Sequence, residues 1–402
     1  MKLTPELIDF MEEHGQTEPS RLLLNASRFP DVDIPFVVEQ ITARRQIRDK
    51  LPGWYANKAL VFPSKLAAEQ CSSEQTAGYK QQLVNAEDHV CDLTGGLGID
   101  SYYFSLKAKK VTYIERFANY AEAACSNFET LQADNITVLN GNGEELATGI
   151  KDVDVFFIDP ARRGDGNKRV FALSDCEPDL TSLYPILLER APKIIAKISP
   201  MADILHTLTL LPETTEVHVI SVRNECKELL FVVERKQEEP LPVHIVCVNF
   251  PTKGESERFT FSMEEERSTT PIFTETAGRY LYEPNASLLK AGAFKIITAN
   301  YPVKKLHINS HLYTSDVLVP DFPGRTFSVE EVIPFSSALC KKIVKEVPQA
   351  NITIRNFPLT VEALRKKTKI KDGGEIYLFV TALADDSKVL IKTKKYNPLV
   401  EI

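Results

Sequence analysis

The chain has 402 residues, 43% of them hydrophobic, which is longer than one hydrophobic core usually grows, so two or three domains are expected. No apolar run approaches the roughly 18 residues that span a bilayer, and Met1 to Asp9 alternates charged and apolar groups, so neither membrane insertion nor secretion is expected. The net charge of −7 does not by itself suggest a nucleic-acid partner; the seven cysteines include no Cys-x-x-Cys pair, which argues against a disulfide framework or zinc knuckle and fits a reducing cytoplasm.

From Thr4 to about Val84 the periodicity is helical. Ile34 to Lys50 puts apolar groups on one face and Arg44, Arg45 and Arg48 on another, and Ser64 to Val84 continues similarly, so residues 1–84 read as a helical N-terminal domain. Short β-branched runs then alternate with helical windows, the pattern of a parallel sheet covered on both faces. Five strands are predicted, over 89–93, 111–115, 136–139, 153–159 and 193–198. Helices are expected between them over 100–107, 119–132, from 144, and over 179–190, with another near 202–211. Two further runs, 217–222 and 228–234, lie too close together for a crossover helix, so they must form an antiparallel hairpin. The expected class is α/β: a Rossmann-like core over 85–236 whose parallel strands end in an antiparallel hairpin.

The turn after the first strand carries the first chemical signal, Asp92-Leu93-Thr94-Gly95-Gly96-Leu97-Gly98. Glycines there let the backbone take positive φ and approach a ligand closely. The loop departs from the dinucleotide pattern, since Ser101 stands at the third glycine of G-x-G-x-x-G and an acid precedes the turn. Carboxylates such as Asp92 and Asp100 would repel a pyrophosphate but suit S-adenosylmethionine (SAM), which carries an amino group and a sulfonium. Glu115 ends the second strand, 17 residues after Gly98, where a carboxylate either accepts hydrogen bonds from both ribose hydroxyls or is an ordinary strand-end charge.

With these residues in order, the stretch from about Phe62 to Arg235 resembles class I SAM-dependent methyltransferases, and its loop is similar to the D-x-T-x-G-x-G-x-D variant of some RNA base methyltransferases. The resemblance implies SAM as cofactor. It places Asp92, Gly96, Gly98 and Asp100 at the methionine end, with Thr94 in the same loop, and Glu115 on the ribose. Asn142 stands where such enzymes commonly have an Asp near the adenine; an amide carbonyl can accept from the adenine amine, and the alternative is an N-cap for the helix from Glu144. Residues 62–75 precede the first strand where related enzymes place a segment covering the cofactor.

The fourth strand ends in Asp159-Pro160-Ala161-Arg162-Arg163-Gly164. Ligands of open α/β sheets sit beyond the carboxyl ends of the strands, so Asp159, with Pro160 and Arg162, is the candidate acceptor site. The run resembles the (D/N)-P-P-(Y/F) motif of amino-methyltransferases but lacks its second proline and aromatic. It also resembles D-P-P-R-x-G of RNA 5-methyluridine enzymes, which need a cysteine just after the fifth strand; Lys197-Ile198-Ser199-Pro200-Met201 has none, so direct in-line transfer is expected. Arg162 and Arg163 suit an acceptor phosphate, or ion pairs with Asp165 or Glu177. Lys197 is at the crevice, although strand-end lysines are more often solvated. His307 and His311 have the spacing of helical metal ligands, but 304–313 reads as strand and turn, so no metal is expected.

Residues 237–275 read as a linker around one strand, 243–250. Beyond it, Tyr280-Leu281-Tyr282-Glu283-Pro284-Asn285-Ala286, Phe322-Pro323-Gly324-Arg325, Asn351 to Pro358 and Lys371 to Glu375 resemble an uncharacterised methyltransferase family carrying a ferredoxin-like domain, here 276–320, and a THUMP-like domain, here 321–402. Strands are expected over 351–355, 376–381 and 389–393, and helices over 334–346 and 361–368. Between Lys341 and Lys395 stand 13 Lys/Arg against 6 Asp/Glu, a local +7 that leaves −14 on the rest. That basic stretch, with Arg365, Lys366, Lys367 and Lys369 as candidate phosphate contacts, fits either a solvated face or an RNA-docking surface. The favoured reading is a SAM-dependent methyltransferase acting on RNA. The alternatives are a small-molecule or protein substrate, or a SAM/RNA-binding protein without catalysis. Nothing in the sequence sets the oligomeric state.

Overall fold

The computed structural model describes residues 2–162, 173, 176–235 and 242–397. Its contacts divide the chain into two compact units, Met1–Glu216 with Leu229–Leu241, and Val217–Glu228 with Pro242–Ile402.

In the first unit, Asp33 caps the helix Ile34–Ile47, and Ser64 and Ser73 cap the shorter helices Lys65–Gln70 and Glu74–Lys80. The continuous helical pattern expected over 64–84 is broken at Ser72-Ser73, where the chain turns to start a new capped helix. Ala43, Ile47, Leu51, Trp54 and Phe62 share one apolar core with Leu97 and Ile99. The helical segment is therefore not a separate domain over 1–84; it packs onto the glycine loop.

The central strands are β1 (His89–Asp92), β2 (Lys110–Glu115), β3 (Ile136–Asn140), β4 (Val155–Ile158) and β5 (Lys193–Ile198). Strands β1 and β4 are buried along their whole length, as strands covered on both faces must be. A hairpin follows, β6 (Thr214–Val222) and β7 (Glu225–Glu234), turned by Arg223 and Asn224 with φ of +52° and +63°. The order is β3-β2-β1-β4-β5-β7, parallel from β3 to β5, with β7 antiparallel to β5. Ala161–Arg162 and Cys176–Glu177 form a two-residue antiparallel ladder just beyond β4.

In the second unit, β8 (His244–Phe250) pairs antiparallel with β9 (Glu257–Ser262), and Ser262 with Glu265 forms a capping box for the helix Met263–Ser268. The expected linker is thus structured for much of its length, although its start, including Glu238-Glu239-Pro240, lies outside the described residues. The polar composition misled because β9 buries only Phe259, Phe261 and Ser262.

The remaining strands are β10 (Tyr280–Pro284), β11 (Lys304–Lys305), β12 (Tyr313–Ser315), β13 (Gly324–Pro334), β14 (Asn351–Ile354), β15 (Ile376–Ala382) and β16 (Lys388–Lys395). They form one seven-stranded sheet in the order β11-β12-β10-β13-β16-β15-β14. The two small domains expected over 276–320 and 321–402 therefore share a sheet, joined where β10 pairs with β13. Helices Ser337–Glu346 and Val361–Thr368 bury Cys340, Ile343 and Leu364 against Leu378, Val380 and Leu390. That leaves Lys341, Lys342, Lys345, Lys366, Lys367 and Lys369 exposed. Among the described residues, no helix is long and apolar enough to cross a membrane, and no three His, Cys, Asp or Glu side chains come together as metal ligands.

Candidate functional site

A cleft of about 690 Å³ opens beyond the carboxyl ends of β1, β2 and β4, and it brings together residues that are far apart in sequence. Its floor is the glycine loop. Gly96 and Gly98 have φ of +55° and +83°, and the Gly95 N–H donates to the Ile114 carbonyl at 2.9 Å. A Cβ at Gly95 would lie 2.2 Å from the Tyr113 ring, and one at Gly98 would lie 2.7 Å from Phe128. Tyr113 also donates its hydroxyl to the Gly96 carbonyl at 2.7 Å, so β2 props the loop from below.

Asp92 is buried at the end of β1. It accepts from the Thr94 N–H at 3.0 Å and from the Ser101 hydroxyl at 2.6 Å. Burial raises its carboxyl to about 7, with Asp100 and Asp159 adding to the effect and the Ser101 and Thr94 bonds opposing it. Glu115 accepts from the Gly96 N–H at 2.9 Å and the Phe117 N–H at 2.8 Å, one bond on each oxygen, which leaves a second lone pair on each.

Asp100 also lines the cleft, and its partner is a lysine that the sequence did not single out. Lys80 is fully buried and lies 3.1 Å from Asp100, and the Ser72 hydroxyl donates to the same carboxylate at 2.7 Å. Burial works against the charge of Asp100 and is the largest single effect. The attraction of Lys80 and Lys197, with the Ser72 bond, outweighs it and holds the carboxyl below its usual range. Lys80, Ser72 and Asp100 thus tie the helix Glu74–Lys80 to the helix Ile99–Ser105.

Asn142 lines the cleft with its carbonyl already engaged, capping the helix Gly143–Ala147 through the Glu144 N–H at 2.8 Å. Segment 62–75 is one wall of the cleft. Gln40 clamps the backbone of Phe62 at 2.7 and 2.9 Å, Asn127 clamps that of Val61 at 2.7 and 2.8 Å, and Ser64 bonds Tyr120 at 2.6 Å.

The acceptor end is tied to the glycine loop by the Asp159 N–H, which donates to the Thr94 hydroxyl at 2.7 Å. Thr94 therefore ties β1 to the end of β4. Lys197, for which the sequence offers either the crevice or solvent, is only 14% exposed and donates to Asp159 at 2.5 Å; the Asp159 side chain is 38% exposed. Pro160 follows Asp159, and Arg162 pairs through its backbone with Cys176. Nothing is described of the Arg162 side chain, and Arg163, Gly164 and Asp165 lie outside the described residues. Glu177 pairs with Arg116 at 2.8 Å. Phe117, half exposed at the rim, has Arg116 over its ring at 4.8 Å. Sequence reasoning passed over Phe117, although an exposed aromatic two residues after a strand-end acid is a usable signal. His307 and His311 sit in the turn between β11 and β12, where His307 bonds Asp386 at 3.1 Å and His311 stacks on Phe294 at 3.6 Å.

The sheet order, its closing hairpin and a glycine-floored cleft at the carboxyl ends of β1 and β4 define the class I SAM-dependent methyltransferase fold. Within that class, a solved structure from Porphyromonas gingivalis W83, assigned as a methyltransferase, is 39% identical to this chain, covers 99% of it and 100% of its own length, and has a TM-score of 0.87. A ferredoxin-like domain model matches residues 280–323, and a THUMP domain-like model matches 324–395. The chain belongs to the family of the Porphyromonas gingivalis protein, class I methyltransferases with C-terminal ferredoxin-like and THUMP-like domains. Weaker likenesses include an rRNA methylase from Streptococcus thermophilus, 14% identical over 40% of this chain and 96% of that one, TM-score 0.32. Another is a protein from Streptococcus mutans in complex with S-adenosylhomocysteine, 14% identical over 40% of this chain and 97% of that one, TM-score 0.31. Comparison with curated proteins gives no match.

Proposed function

We propose that this protein transfers a methyl group from SAM to a base in RNA by direct in-line displacement. The observation that carries the reading is the 2.7 Å bond from the Asp159 N–H to Thr94, which couples the glycine loop to the candidate acceptor site inside one cleft. SAM fits the residues present. Gly96 leaves room where a side chain would intrude, Glu115 offers its remaining lone pairs to ribose hydroxyls, and Asp92 and Asp100 suit the cationic methionine end. When bound, SAM supplies a methyl on a positively charged sulfonium. The chain's own work is to hold the acceptor nitrogen or carbon in line with that methyl and to exclude water. Asp159 addresses the acceptor, with Pro160 and Arg162 in the same segment. The carbonyl of Asn142 accepts one bond as a helix cap and keeps a second lone pair for the adenine amine.

The RNA part of the reading rests on the THUMP domain-like match and on the exposed lysines of two neighbouring helices. The test is incubation of the purified protein with radiolabelled SAM and RNA from a strain lacking the gene, followed by nucleoside analysis. Label in a methylated nucleoside is expected, and it should disappear in Asp159→Ala while SAM affinity stays within a few fold. SAM binding with label only on protein or a small molecule would replace RNA as the substrate.

A further inference from the structure

We propose that the acceptor is the lactam edge of a nucleobase, a ring N–H beside a carbonyl as in guanine or uracil, and that Lys197 is a catalytic residue for it. The proposal rests on the reading of this cleft as a SAM-dependent RNA methylation site. What carries it further is the ion pair at the acceptor end, Lys197 Nζ to Asp159 Oδ2 at 2.5 Å, with both residues lining the cleft.

An ionised carboxylate only accepts hydrogen bonds and an ammonium only donates them, so the pair presents one acceptor beside one donor. Two kinds of base edge match that pattern. One is an exocyclic amine beside a ring nitrogen, and the other is a ring N–H beside a carbonyl. Charge decides between them. An amine attacks with a lone pair already delocalised into the ring, and a cation on the neighbouring ring nitrogen would draw that pair further away. A lactam nitrogen attacks only as it loses its proton, and the negative charge that appears is shared with the adjacent oxygen. An ammonium at that oxygen stabilises charge that develops during the reaction, the arrangement that accelerates a chemical step most. Lys197 is largely removed from water, which strengthens the effect.

The step balances. The ring nitrogen gives its proton to an oxygen of Asp159 as its electron pair forms the bond to the methyl carbon. The carbon–sulfur bond breaks with its pair remaining on sulfur. Asp159, now neutral, releases the proton to water once the product leaves.

The test uses the full chain with labelled SAM, RNA from a strain lacking the gene, and digestion to nucleosides. The expected product is N1-methylguanosine or N3-methyluridine. A methylated exocyclic amine or a C5-methylated pyrimidine would overturn the lactam edge and leave the RNA reading standing. Bound SAM with no methylated nucleoside at all would overturn both. Lys197→Met supplies a second readout: SAM affinity should stay within threefold, showing a folded cleft, while turnover falls about 10²–10³-fold, as for removal of one charge-stabilising donor. Residual turnover of the variant should climb steeply with alkaline pH, because ionisation of the lactam in solution then replaces the lost ammonium. Unchanged turnover would overturn the role of Lys197. So would a tenfold loss of SAM affinity, which would assign the ammonium to the methionine carboxylate.

Discussion

Asp92 and Gly96 show how single residues set the properties of the cleft. Asp92 titrates at about 7 because it is buried, against about 3.9 in an unfolded chain. A raised carboxyl favours the folded state most when protonated. Its contribution is therefore complete below about pH 4 and is lost as the pH climbs through about 7. Without ligand, the wild type should lose melting temperature between about pH 4 and 7 more steeply than Asp92→Asn. Paired melts at constant ionic strength check this, and equal slopes would show that Asp92 is ionised throughout. SAM should bind more tightly over the same rise in pH in the wild type, since ionised Asp92 faces a cationic ligand; titration calorimetry reads the slope. Gly96 differs from its neighbours. A Cβ there would meet nothing nearer than the Thr94 carbonyl at 3.8 Å, so only its φ of +55° and the cleft itself resist a side chain. Gly96→Val should fold, at a strain of about 1–2 kcal/mol. Its SAM affinity should fall on the order of a hundredfold by calorimetry, about 2.7 kcal/mol. Unchanged affinity in a folded variant would move the cofactor away from this loop.

At the scale of elements, the cleft is stiffened by pairs that join one element to another. Lys80 and Asp100 are the strongest case, because Lys80 is fully buried. Lys80→Met leaves a buried carboxylate without its cation and should cost about 3–5 kcal/mol. The double change with Asp100→Leu should recover much of that loss, because it removes both charges. Denaturant unfolding of the four proteins closes the cycle, and additive losses would mean the pair is not coupled. Nothing in the sequence marked Lys80: a lysine in an amphipathic helix reads as solvated, and only the tertiary fold brings Asp100 to it. Strands β1, β2, β4 and β5 were legible because buried parallel strands are continuous apolar runs, the half-buried β3 because Ile136-Thr137-Val138 is β-branched, and the helix Val361–Thr368 because Thr360 caps a clear periodicity. Strand β13 was not. A bulge between Val329 and Glu331 breaks its alternation, and Glu330 reads as a solvent charge although it pairs with Lys392 and Lys394 at 3.2 and 2.7 Å. Pro334 ends that strand, and the helix expected from it starts instead at Ser337, after the Ser336 cap. Of the candidate site, the glycine loop, Glu115 and Asp159 could be found because they sit at strand ends in a fixed order. The pairing of Lys197 with Asp159 could not, since the two are 38 residues apart in the chain.

For the molecule as a whole, the uneven charge is the feature with the largest consequence. The +7 between Lys341 and Lys395 belongs to a chain of net charge −7, so a polyanion meets attraction at one region and repulsion elsewhere. The basic residues of that region are not equivalent. Arg365 is not a free phosphate contact: it donates to Asp372 and to the carbonyls of Ile370 and Ala350, the latter two at 3.2 and 3.1 Å, and so holds its own loop together. Lys392 and Lys394 are likewise paired, with Glu330. Lys366 and Lys367 are exposed near the end of their helix, beside a second helix whose Lys341, Lys342 and Lys345 are also exposed. If RNA docks on these helices, its affinity should fall steeply with salt, because each neutralised phosphate releases counterions. Changing Lys366 and Lys367 to Gln keeps helix propensity and removes two contacts. The slope of log affinity against log salt should then flatten by roughly 1.4–1.8, the value for two phosphates. Arg365→Gln should instead lower the melting temperature, with a smaller effect on the slope. SAM affinity should be the same in all three proteins. Fluorescence anisotropy with labelled RNA across a salt series measures the slopes. Binding by the Lys366→Gln, Lys367→Gln variant that is as tight as wild type, with an unchanged slope, would make these helices a solvated face and leave RNA, if it binds, to another surface.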